Sequence, residues 1–97
     1  MNWKQPAVTY RLEIGRRVQK DMVRFPRQEQ ARILVALKRL AEDPRPAGCL
    51  PAKNAPRDTY RVRVGDYRLV YTVLDEERVI VVARVARRSE SIYRDLD

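Results

Sequence analysis

Ninety-seven residues leave room for a single domain, 1–97, that buries roughly 60–70% of its unfolded surface around one modest core. Lysine and arginine number 21 against 13 aspartate and glutamate, a formal charge of +8, while a 44% apolar share is too high for a disordered basic tail. One cysteine (Cys49) and no histidine exclude an internal disulfide, a zinc site and histidine acid/base chemistry, so neither a metal nor a cofactor is expected.

In chain order, Val8, Tyr10, Leu12 and Ile14 alternate with polar residues, the period of a half-buried strand. Ile14, Val18, Met22 and Phe25 then recur at helical spacing, with Arg16, Arg17, Lys20 and Arg24 on the opposite face. Pro26 breaks that helix and suits the first turn of the next, whose apolar face is Ile33, Leu34, Leu37, Leu40 and Ala41. Asp43-Pro44-Arg45-Pro46 ends it, so a helical hairpin is expected over residues 15–43. Residues 44–58 hold four of the six prolines and read as a loop. Tyr60, Val62 and Val64 alternate with Arg61 and Arg63. Gly65-Asp66 fits a type II′ turn into a strand carrying Tyr67, Leu69, Tyr71 and Val73. Asp75-Glu76-Glu77 turns the chain into a third strand, 79–86. The longest aliphatic run, residues 79–83, is far short of the ~20 residues that span a bilayer, and no secretory h-region follows the N-terminus. Ser89 caps a short final helix with Ile92, Tyr93 and Leu96 on its less polar side. The expected class is α+β: an N-terminal strand, a helical hairpin, and a three-stranded antiparallel meander completing a four-stranded sheet, then a short C-terminal helix. The expected location is the cytoplasm, and the expected partners are polyanions or acidic proteins, not a membrane.

Charge is distributed unevenly. Residues 1–56 carry 12 cations and 5 anions, whereas residues 57–97 carry 9 and 8. Seventeen of the 21 cations are Arg, which a high-GC genome accounts for as readily as function does. Codon usage does not explain placement. With Gly65-Asp66 as the turn, Arg63 lies opposite Arg68 and Arg61 opposite Val70, and directly opposite residues share a face. Arg61, Arg63 and Arg68 therefore gather on one side of the hairpin, with Tyr60, Val62, Val64, Tyr67, Leu69 and Tyr71 on the other. The third strand adds Arg84 on its even-numbered side, and Arg88 follows its end. Like charges directly opposite cost a few tenths to about 1 kcal/mol. Such a cluster suits a phosphate or carboxylate, and a solvated outer face is the alternative.

The stretch Tyr60-Arg-Val-Arg-Val-Gly-Asp-Tyr-Arg-Leu-Val-Tyr71 resembles the hairpin of the RelE/ParE toxin superfamily. The helical hairpin, the Asp43-Pro44-Arg45-Pro46 loop and the Val85-Ala-Arg-Arg-Ser89 to Tyr93 ending fit the resemblance, which runs from about Tyr10 to Tyr93. It implies the toxin of a type II toxin–antitoxin pair and, in the RelE branch, a ribosome-dependent endoribonuclease. That chemistry needs no metal: the 2′-hydroxyl attacks its own phosphodiester, the mRNA is cut and translation stops. Matched by motif, the catalytic set is Arg61, Arg63, Arg68, Arg88 and Tyr93. Arg61 and Arg63 stand where the best-known RelE has Lys, and the step from Arg88 to Tyr93 is one residue shorter. Guanidinium groups stabilise a dianionic transition state but exchange protons poorly, which leaves Tyr93 as the candidate acid/base or, equally, as an anchor for the last helix. Arg16, Arg17, Lys20, Arg24 and Arg84 are the further RNA-binding candidates. The implied partners are a small acidic RelB-like antitoxin, the ribosome and mRNA, with DNA reached only through the antitoxin. Two alternatives stay open: a ParE-like gyrase poison without nuclease activity, and a non-catalytic RNA-binding module.

Overall fold

The computed structural model describes residues 9–87. Strand β1 (Arg11–Ile14) leads into helices α1 (Arg16–Met22) and α2 (Arg27–Glu42). Four strands follow: β2 (Leu50–Pro51), β3 (Thr59–Val64), β4 (Tyr67–Leu74) and β5 (Val79–Arg87). They form one mixed sheet in the order β1-β5-β4-β3-β2. β1 runs parallel to β5, and every other neighbouring pair is antiparallel. The α+β class is as expected, but the sheet has five strands, not four. The extra strand is the two-residue β2, within the stretch read as a loop. Pro51 lacks an N–H and two residues cannot show alternation, so nothing in the local pattern announces an edge strand there.

Both helices pack on one face of the sheet. Val18 and Met22 of α1 and Ile33, Leu37 and Leu40 of α2 meet Tyr67, Leu69, Tyr71, Val73, Ile80, Val82 and Val85 in one core. Each fully buried aliphatic side chain contributes about 1.5–3 kcal/mol, so the sixteen-residue α2 is held by its face rather than by capping. Neither helix start has a side-chain cap. Gln19 and Gln30 instead donate their amide N–H to the carbonyls of Ile14 and Phe25, at 2.8 and 2.9 Å. Helix α1 is shorter than its apolar spacing predicts. Ile14 belongs to β1, and the helix stops at Met22, after which Arg24 and Phe25 bond back to Asp21 and Met22 in a tight turn that leads into Pro26. Phe25 still reaches the core, its ring centroid 4.7 Å from that of Tyr67.

The loop after α2 is fastened to the far end of the sheet. Arg45 donates to Asp75 through Nη2 at 2.8 Å and Nη1 at 3.3 Å, and through Nε to the Tyr60 hydroxyl at 2.9 Å. Tyr10 donates to the same carboxylate at 2.7 Å, and Tyr71 to the Pro44 carbonyl at 2.8 Å. The expected C-terminal helix, with Ser89, Ile92 and Leu96, lies outside the described residues. No described helix is long and apolar enough to cross a membrane.

Candidate nucleic-acid interface

The hairpin has the register expected from its turn. Val64 pairs with Tyr67, Arg63 with Arg68 and Arg61 with Val70. Gly65 sits at φ 58, and Asp66 is not among the left-handed residues, as a type II′ turn requires. Tyr60, Val62 and Val64 pack against the core that contains Tyr67, Leu69 and Tyr71. Arg61, Arg63 and Arg68 consequently stand together on the opposite, helix-free face. Arg63 is exposed, while Arg61 and Arg68 are half-buried.

Arg84 reaches this face by a route that simple alternation does not supply. Ile80 and Val82 of β5 are core residues, so strict alternation would put Arg84 among them. A β-bulge intervenes. Tyr71 pairs with Val82 but Val70 pairs with Arg84, leaving Ala83 as the extra residue. Beyond it Val85 points into the core, and Arg84 and Ala86 share the arginine face. Val70 and Ala86, only 4% and 2% exposed, form a small apolar floor there.

Leu50 and Gly48 are contributors that sequence reasoning missed. Leu50 lies opposite Arg61 across β2 and β3, which places it on the arginine face, half exposed. A cleft of about 290 Å3 opens between Gly48, Leu50, Arg61, Arg63 and Arg68. A larger groove of about 740 Å3 runs along α2 beside the edge of β3, with Val35, Ala36, Val62 and Val64 below and Arg32, Arg39 and Arg63 at its rim. The other basic candidates are elsewhere. Arg16, Arg17, Lys20 and Arg24 are all exposed on the helical layer, across the sheet from the arginine cluster. Arg88 and Tyr93 lie outside the described residues. Among the described residues, no three His, Cys, Asp or Glu side chains are placed to hold a metal ion.

The arrangement therefore offers four guanidinium groups on a rigid sheet, an apolar strip beside them, and a second basic surface on the helices. Planar guanidinium forks suit phosphate oxygens, and a rigid support keeps them oriented before any charge develops. Known proteins carry the same architecture. The profile of the family described as the ParE toxin of the type II toxin–antitoxin system parDE matches residues 2–92. RelE1 of Methanocaldococcus jannaschii, named for a toxin role, is 30% identical over 88 residues, covering 89% of this chain and 97% of that protein. The archaeal RelE–RelB complex of Pyrococcus horikoshii contains a chain 29% identical with a TM-score of 0.71, covering 84% of this chain and 98% of that one. The toxin–antitoxin complex RelBE2 of Mycobacterium tuberculosis gives 27% identity and a TM-score of 0.72, over 84% of this chain and 100% of that one.

Proposed function

Because this chain belongs to the ParE toxin family of type II toxin–antitoxin systems, within the wider RelE/ParE superfamily, we propose that it is a RelE-type endoribonuclease that cuts ribosome-bound mRNA. The observation that carries this reading is the convergence of Arg61, Arg63, Arg68 and Arg84 on the helix-free face of the sheet. In the proposed reaction the 2′-oxygen forms a bond to the adjacent phosphorus and the 5′-oxygen leaves. The products are a 2′,3′-cyclic phosphate and a 5′-hydroxyl end. Arg61, Arg63 and Arg68 stabilise the extra negative charge of the phosphorane-like transition state, with Arg84 binding RNA beside them. Removing one such donor costs about 10²–10³ in rate. Arg88 and Tyr93 complete the proposed catalytic set, with Tyr93 as the proton-exchanging group. The cognate partner is an acidic antitoxin, whose charge complements the +8 toxin much as RelB accompanies RelE in the relatives. An apolar groove with a rim of Arg32, Arg39 and Arg63 suits an amphipathic segment of such a partner.

The family profile itself favours a second reading, since it is named for ParE: poisoning of DNA gyrase. One pair of assays separates the two. Purified protein is added to programmed ribosomes and cleavage is read by primer extension, and the same protein is added to gyrase in a supercoiling assay. The ribonuclease reading expects mRNA cleavage, lowered at least 100-fold by Arg68→Ala, with gyrase unaffected. Intact mRNA together with trapped, cleaved DNA would overturn it in favour of gyrase.

A further inference from the structure

The arginine face is laid out in two rows. Arg63 and Arg68 are directly paired in one, and Arg61, Val70 and Arg84 lie side by side in the other. The rows are two residues apart along the strands, about 6.6–6.8 Å. That spacing is commensurate with successive phosphates of an extended nucleic-acid strand. We propose that Arg84 binds the phosphodiester next to the one that is cleaved, so that the sheet holds two consecutive phosphates.

Three observations converge on Arg84. The bulge at Ala83 turns it out of the core, where alternation would have buried it, and onto the same face as Arg61. The residue is half-buried, yet among the described residues it makes no ion pair. Its Nε is inaccessible to solvent and has no hydrogen-bond acceptor. A half-buried donor without an acceptor is costly, and an incoming anion would offset that cost through the remaining N–H groups. Finally, the residue between Arg61 and Arg84 is Val70, which is buried and short, so nothing on β4 blocks Arg84 from a phosphate beside the one that Arg61 contacts. The acid that β1 carries on this face, Glu13, is already bound to Arg11 at 3.0 Å.

The inference rests on the RNA-cleaving reading and is tested with the same ribosome assay, using mRNAs that carry one neutral methylphosphonate on either side of the cleaved linkage. Wild type should lose about tenfold in KM when one of the two neighbouring linkages is neutral, with kcat changing far less. Arg84→Gln should show that tenfold loss on the ordinary mRNA and no further loss on the neutral one, and Arg84→Lys should recover most of it. Circular dichroism verifies that both variants are folded. An Arg84→Gln enzyme with unaltered KM, an Arg84→Lys enzyme as impaired as Arg84→Gln, or penalties that simply multiply, overturns the Arg84 assignment alone. Wild type that leaves mRNA intact overturns the ribonuclease reading and the assignment with it.

Discussion

Asp75 accepts hydrogen bonds from two parts of the chain that are far apart in sequence, Arg45 and Tyr10. The bonds from Arg45 first, and from Tyr10 second, hold its carboxyl below the ordinary range. The same contact raises the pKa of Tyr10, whose proton is engaged by the carboxylate. A carboxyl depressed in the folded state contributes stability above its unfolded pKa of about 3.9, and that contribution is lost as pH falls through the folded value. Thermal melts between pH 6 and pH 2 should therefore show a steeper acid-side loss for wild type than for Asp75→Asn. Parallel curves would mean that the clasp carries no linked proton. None of this was legible in the sequence: Arg45 finds Tyr60 and Asp75 at separations of 15 and 30 residues, beyond any local periodicity. What was legible at this scale is the face of each hairpin residue, because period two fixes all of them once the turn is located.

That turn shows how much an element can depend on one residue. Gly65 at φ 58 sets the type II′ geometry, and the turn sets the register that pairs Arg63 with Arg68. A methyl group added at Gly65 would lie 3.0 Å from Arg32 Nη2, the far end of a flexible side chain that can swing away. The backbone strain remains. Gly65→Ala should thus cost about 1 kcal/mol, read as a lower urea midpoint at unchanged m. A loss near zero would show that the turn tolerates an L-residue there. The hairpin was readable because its alternation and its glycine agree. The elements that escaped are those where alternation is absent or broken: the two residues of β2, and β5 with its extra Ala83. Arg84 stands with the other arginines only because the bulge reverses the parity that Ile80 and Val82 set.

At the scale of the whole molecule, charge falls on two surfaces separated by the sheet. Arg16, Arg17, Lys20 and Arg24 extend the field of the helical layer, while the proposed chemistry lies on the other side. Long-range attraction and local transition-state stabilisation are then separable. Replacing all four by Ala should lower kcat/KM for ribosome-bound mRNA about tenfold at low salt, with the gap closing as ionic strength rises. A deficit independent of salt would assign them direct contacts with substrate. The order of the sheet has a further consequence, one of timing. β5, the last strand described, lies between β1, the first, and β4. During synthesis β1 has no strand to pair with until residues 79–82 have emerged, and the core lacks Ile80, Val82 and Val85 until β5 is complete. The sheet closes around its latest-made member. A nascent chain that stops short of β5 thus has neither the pairing partner of β1 nor the core side chains that β5 supplies, and cannot yet present Arg84 beside Arg61.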